Sequence, residues 1–251
     1  MAGVSSFFRV AKSRPSSIAQ KYSHTAIAVE PIYVDNHLLV VFKPAGMLSQ
    51  EDRTGDDDVL TVWKRWIKVR YDKPGRVFLG LVHRLDRPAS GVMVLARTSK
   101  AAARLSIQFR ERTVGKEYLA LVEGVPDPDG TMVDMLAKKG STVRVQPRAP
   151  GAREARLAFR TLGTSGGCSL VSVRLETGRA HQIRVQFSQR GFPLLGDFRY
   201  GATRSFDGKN LALHAYRLSL QHPTSGEQLT FTAPLPDTWP EPFRRMVPGA
   251  L

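Results

Sequence analysis

The chain has a single cysteine, Cys168, in 251 residues. No disulfide can close within it and no thiolate cage can hold a metal, and a reducing compartment is the simplest fit. Within Cys-Ser-Leu-Val-Ser-Val, Cys168 is expected to be a small buried hydrophobe on a strand rather than a reactive thiol. No apolar run approaches the roughly 20 residues that span a bilayer, so no membrane association is expected. The sequence also lacks a Gly-rich loop followed by Lys-Ser/Thr, a dinucleotide fingerprint and any pair of histidines at metal spacing. Chemistry without cofactor or metal is therefore expected. His83, His181 and His214 occur singly, and for each a hydrogen-bonded structural role is expected before metal ligation.

Acidic residues are scarce as well. Against 37 Lys+Arg stand 22 Asp+Glu, a formal net charge of +15. A surplus of that size repels itself in the compact state, which favours a polyanionic partner, nucleic acid before membrane. No acid occurs before Glu30, while Arg9, Lys12, Arg14, Lys21 and several serines do. Residues 1–29 thus have the composition of an organellar transit peptide, mitochondrial or plastid, the alternative being a basic arm that touches RNA. Loss of those four cations would lower the charge from +15 to +11, so the remainder stays basic.

From Ile32 the pattern changes to short apolar runs. Ile-Tyr-Val-Asp and Leu-Leu-Val-Val-Phe-Lys flank a turn at Asn36-His37 and end at Lys43-Pro44-Ala45-Gly46. After Asp56-Asp57-Asp58, Val59, Val62, Trp63, Trp66 and Ile67 recur at helical spacing, and the tryptophans are expected as core anchors. Residues 78–82 and 91–96 are expected as buried strands around an intervening polar segment. Ser99 is expected to cap a helix over 99–112. Further strands are expected at 117–122, 156–162, 169–176, 211–220 and 228–232, with a helix over 181–190 stopped by Gly191. Residues 127–153 are expected to form an exposed insertion or loop pair. Strands outnumber helices without regular alternation, which predicts an α+β domain over 30–251 on a mixed, largely antiparallel sheet with flanking helices. A monomer is expected.

Asp86 alone, between Arg84 and Arg87, would read as a turn carboxylate. It stands, however, in His83-Arg84-Leu85-Asp86-Arg87-Pro88-Ala89-Ser90-Gly91. Downstream follow Thr177-Gly178-Arg179-Ala180-His181-Gln182-Ile183-Arg184, Gly196-Asp197, Tyr200-Gly201 and Leu213-His214-Ala215. With Lys43-Pro44-Ala45-Gly46, Lys116-Glu117-Tyr118 and His222-Pro223, this ordered set resembles the RluA-type, large-subunit branch of the RNA pseudouridine synthases from about Ile32 to Pro234.

The resemblance implies a pseudouridine synthase fold and a cofactor-free isomerisation of uridine in structured RNA, ribosomal before transfer RNA. It implies that Asp86 is the catalytic carboxylate, Arg184 its basic partner, and Tyr118 the ring on the target base and a participant in proton removal. Arg84 matches the arginine that replaces the flipped nucleotide, and Leu213 an apolar wall of the base pocket. Arg179, His181 and Gln182 are expected either to reach phosphate or to hold the loops of the site. These roles make physical sense: a carboxylate attacking a sugar needs a permanent cation beside it, and extruding a base costs a few kcal/mol that an inserted arginine recovers in part. Two departures stand out, Pro88-Ala89 before Ser90-Gly91 and Gln186 where the family often has histidine. The competing expectation is a non-catalytic RNA-binding or ribosome-assembly factor retaining the scaffold.

Overall fold

The computed structural model describes residues 30–247. The arm 1–29, and with it the transit reading, lies outside the described residues. In chain order the strands are β1 (Tyr33–Val34), β2 (Leu38–Lys43), β3 (Gly80–Leu81), β4 (Ser90–Ala96), β5 (Gly115–Glu123), β6 (Asp129–Lys139), β7 (Thr142–Val145), β8 (Arg153–Ser165), β9 (Cys168–Leu175), β10 (Leu213–Gln221) and β11 (Gln228–Thr232). Four helices accompany them: α1 (Val59–Arg70), α2 (Ser99–Glu111), α3 (Gln182–Gln189) and the short α4 (Glu241–Arg244). A 3-10 turn covers Phe198–Tyr200.

The strands form one sheet in the order β1-β2-β4-β10-β5-β9-β8-β6-β7, with β3 added to β4 and β11 to β10. All these strand pairings are antiparallel except that of β4 with β10. This is the mixed, largely antiparallel α+β architecture that the pattern predicts. Side-chain alternation divides the core between the two faces of the sheet. Leu119, Leu121 and Leu170 pack under Trp239 and Phe243 of the C-terminal segment. Ala120, Val122, Val171 and Val173 face the other way, onto Ile183 and Phe187 of α3. Trp63 and Trp66 are buried and meet edge to face at 5.4 Å, anchoring α1 as expected. Cys168 is buried at the start of β9. Among the described residues no helix is long and apolar enough to cross a membrane.

Three local expectations change. Thr98, not Ser99, caps α2, because its side chain is the one that accepts from the Ala101 amide. The strand expected at 78–82 shrinks to the two residues of β3, and Phe78 is half exposed beyond its end. Residues 127–153 are not a loop pair: β6 and β7 form a hairpin paired from Leu136↔Val145 to Lys139↔Thr142, and β6 continues along β8. Met132, Leu136 and Val143 bury one side of it, and Gly140, at φ +60, makes the turn. The two-residue Gly140-Ser141 connection was the available signal.

The parallel contact positions the site. His214 pairs with Ser90 and Ala215 with Gly91, and Ser90 Oγ lies 2.8 Å from His214 Nδ1. The other ring nitrogen of His214 faces the Ala233 carbonyl at 3.0 Å, and burial pushes the ring's pKa down to about 4, so it is a neutral structural histidine. Gly91 has φ +128, and a Cβ there would run into the backbone N and O of Ala215. Gly91→Ala is therefore expected to cost about 3–5 kcal/mol or to prevent folding, read by thermal denaturation. A melting temperature within a few degrees of wild type would show that this junction does not constrain the chain.

Candidate active site

The loop between β3 and β4 carries Asp86, and nearly every residue beside it is held by the turn after β2. Ser49 Oγ donates to the Leu85 carbonyl at 2.8 Å and accepts from the Leu85 amide at 3.2 Å. The Gly46 amide donates to the Arg87 carbonyl at 2.8 Å. Lys43 is fully buried, with its ammonium within bonding distance of four carbonyls: Pro44 at 3.0 Å, Met47 at 2.8 Å, Arg87 at 3.1 Å and Ala89 at 2.7 Å. An ammonium has three donors, so the four acceptors share them. Burial pulls the Lys43 pKa down to about 7, against the charge of Asp86 and with that of Arg87. Ala89 is buried, and its amide bonds back to the Asp86 carbonyl at 3.0 Å. At Pro88-Ala89 the chain makes a tight turn, and Ala89 joins the buried cluster against which Tyr118 packs.

Opposite this loop, α3 supplies Arg184, whose guanidinium serves two carboxylates. Nη1 donates to Asp86 Oδ2 at 2.9 Å, while Nε and Nη2 grip Asp197 bidentately at 2.6 and 2.8 Å. Asp197 is 2% exposed and Asp86 27%. Burial disfavours the Arg184 charge, but the hydrogen bonds and charges of Asp197 and Asp86 more than offset it and hold the guanidinium above its ordinary range. The Tyr200 ring lies 4.9 Å from the Arg184 guanidinium carbon, and its hydroxyl is 2.7 Å from His181 Nδ1. His181 Nε2 stands 3.8 Å from Asp86 Oδ2. One oxygen of Asp86 is thus occupied. No described residue hydrogen-bonds to Oδ1, which remains available to a reacting group.

A cavity of about 840 Å³ opens over this pair and brings every sequence-predicted site residue together. Tyr118, on β5, and Leu213, at the start of β10, form its apolar wall, as adjacent strands require. Burial, then the charge of Asp86, raises the Tyr118 pKa, so its phenol keeps its proton at neutral pH. Arg84 is exposed at the mouth and makes no hydrogen bond or ion pair with any described residue. Arg179 Nε donates to the Glu154 carbonyl at 2.9 Å; burial and the neighbouring charges of Arg112 and Arg153 lower its pKa. Gln182 is buried, with its amide bonded to Thr177, the Arg179 N–H and the Arg156 carbonyl. Of the two roles open to Gln182, it performs loop holding. His83 accepts from the Val94 amide at 3.0 Å and stacks on Phe109 at 4.7 Å, with its pKa pushed to about 4 by burial and then Lys116, so its role is structural.

Four further contributors had no role in the sequence reading: Lys43, Ser49, Asp197 and Tyr200. Lys43, Asp197 and Tyr200 stood inside quoted motifs, yet their function depends on a fold that brings β2, the Asp86 loop and the 3-10 turn together. Lys116 joins the cavity wall, its pKa lowered by burial and then by Arg112, in keeping with crowded cations. Gln186 does not line the cavity. It is buried, and its amide reaches Asp134 at 2.7 Å and the Ala155 carbonyl at 3.2 Å, tying α3 to β6 and β8. Among the described residues no cluster of three or more His, Cys, Asp or Glu could hold a metal ion.

Comparison with known proteins agrees with this geometry. Residues 37–189 match the family described as RNA pseudouridylate synthase. A ribosomal large subunit pseudouridine synthase D of Zymomonas mobilis is 34% identical over 227 residues, covering 84% of this chain and 70% of the relative. An uncharacterized RNA pseudouridine synthase of Chloroflexus aurantiacus is 43% identical over 163 residues, covering 64% of this chain and 52% of the relative. The chain therefore spans between about half and 70% of the length of these two relatives. The solved structure of human RNA pseudouridylate synthase domain containing 4 shares the fold, with TM-score 0.69 at 24% identity, covering 86% of this chain and 90% of that one. A carboxylate paired to a buried arginine in a basic cavity, the ordered motifs, and a match over more than half its length together show that this chain belongs to the RNA pseudouridine synthase family.

Proposed function

We propose that this protein isomerises uridine to pseudouridine in RNA, with Asp86 as the nucleophile and the target base drawn out of its stack. The observation that carries the reading is the Asp86–Arg184 pair, with Oδ2 held at 2.9 Å and Oδ1 open to a cavity walled by Tyr118 and Leu213. In the proposed reaction Asp86 Oδ1 attacks C1′ of the uridine and the C1′–N1 bond breaks with its electron pair leaving on the base. The base turns, C5 bonds to C1′ as the carboxylate departs, C5 loses a proton and N1 gains one. The reaction is neutral in electrons and atoms, so no redox partner enters. Because Tyr118 retains its proton, proton removal at C5 through its hydroxyl requires that it pass its own proton on.

Arg84 suits the stack-filling role, since it is exposed at the mouth and tied to no described carboxylate. Arg179, with Arg112 and Lys116 near it, supplies cations for phosphate. The substrate proposed is large-subunit ribosomal RNA, because relatives bear that name, with transfer RNA as the alternative. Pseudouridine mapping in cells with and without the protein is expected to show loss of one or a few positions in ribosomal RNA. Identical maps would overturn the proposal. The reading as a non-catalytic assembly factor requires an Asp86→Ala protein to restore full function to such cells; the intact Asp86–Arg184–Asp197 network argues against it.

A further inference from the structure

Beyond the cavity just described, a second crevice of about 380 Å³ begins at the same carboxylate. It shares Asp86, Arg87, His181 and Arg184 with the main cavity and continues between Pro88 and the segments 196–199 and 209–211. The wall is built to face outward. Asp197 is gripped by Arg184 and Tyr200 lies over the same guanidinium, so the two ends of the 3-10 turn are pinned inward. The residues between them, Phe198 and Arg199, are forced out. Phe198 is 61% exposed and makes no ring contact with a described aromatic residue. Arg199 has no described carboxylate partner; its one side-chain bond is a 3.4 Å contact with the Ser141 carbonyl. Across the crevice Lys209 is exposed and its ammonium has no described partner. Its loop is fixed by Asp207, which accepts from the Lys209 and Asn210 amides at 3.0 and 2.6 Å. Arg87, by contrast, is neutralised by Asp56 at 2.5 Å.

A rigidly presented aromatic face beside two unpaired cations is the combination that binds single-stranded nucleic acid: the ring stacks a base and the cations follow the phosphates. An RNA that delivers one uridine to Asp86 must continue past it, and this crevice is the groove that starts there. We propose that the Phe198–Arg199–Lys209 crevice is a subsite for the unpaired nucleotide adjoining the target uridine, with Phe198 stacking its base and Arg199 and Lys209 holding its phosphates. The inference rests on the RNA isomerase reading for the identity of its occupant.

The test uses a single-stranded RNA of about twelve nucleotides carrying one 4-thiouridine. Ultraviolet cross-linking and peptide mapping are expected to find adducts within residues 196–211. Phe198→Ala is expected to weaken binding of this RNA about tenfold. Lys209→Ala is expected to reduce the slope of log affinity against log salt by about 0.7, the loss of one phosphate contact. Lys64→Ala, which removes an exposed cation of α1 outside both cavities, is the control. If both crevice variants match Lys64→Ala in affinity and slope, the subsite is wrong even when pseudouridine is made. If they weaken binding and no pseudouridine forms under any condition, the subsite stands and the isomerase reading fails.

Discussion

Asp86→Asn protein is expected to bind RNA at least as tightly as wild type and to yield no detectable pseudouridine, a loss on the order of 10⁴-fold or more in rate. An amide oxygen can still accept the Arg184 hydrogen bond, so the loop and the pocket keep their shape. It carries no charge with which to attack C1′. Because Asp86 sits among the cavity cations Arg84, Arg112, Lys116, Arg179 and Arg184, removing its charge weakens no contact to phosphate and relieves some repulsion. Nucleoside analysis by mass spectrometry and filter binding on the same preparation read the two halves of this expectation. Turnover comparable to wild type would eliminate Asp86 as nucleophile, and a parallel collapse of affinity would assign it to binding instead.

Arg184→Gln should damage stability and catalysis together. It strips the bidentate partner from Asp197, a carboxylate that is almost completely buried, and removing one member of such a pair costs about 3–5 kcal/mol. It also releases Asp86, and misplacing a reacting group by about an ångström costs about 10²-fold in rate. The two consequences separate in a double variant. Adding Asp197→Asn to Arg184→Gln removes the stranded charge and should recover most of the stability by chemical denaturation, with activity still lost. If the single variant melts like wild type, or if the double variant regains activity, Arg184 does not act as the link between these carboxylates.

The legible parts of this protein were those whose physics is local or whose motifs are contiguous. A short continuous apolar run identified β4 and helical spacing identified α1, because a fully buried strand and a half-buried helix face each impose their pattern on neighbouring residues. The hairpin of β6 and β7 was hidden because its strands interleave exposed charges such as Lys138, Lys139 and Arg144 with few buried positions, so its composition looked like a loop. The site was legible as a set of side chains, Asp86, Tyr118, Arg184 and Leu213, but not as an arrangement. That Gln182 is consumed by internal bonds, or that Lys43 stitches the Asp86 loop to β2, depends on contacts between residues up to 46 positions apart. No short window along the chain contains the Arg156 partner of Gln182 or the Ala89 partner of Lys43. The Gln186 departure likewise changed meaning once its side chain proved to face β6 and β8 rather than substrate.

The contact of β4 with β10 joins Ser90 to His214 across 124 residues of chain. During synthesis from the N-terminus, Asp86 and its lysine clasp leave the ribosome early, but the strand that anchors the far side of their loop emerges much later. A nascent chain that has not yet produced β10 also lacks Leu213, and with it one wall of the pocket. A chain that has not yet produced β10 therefore holds the Asp86 loop beside an incomplete pocket, and the site closes only when the late strand docks.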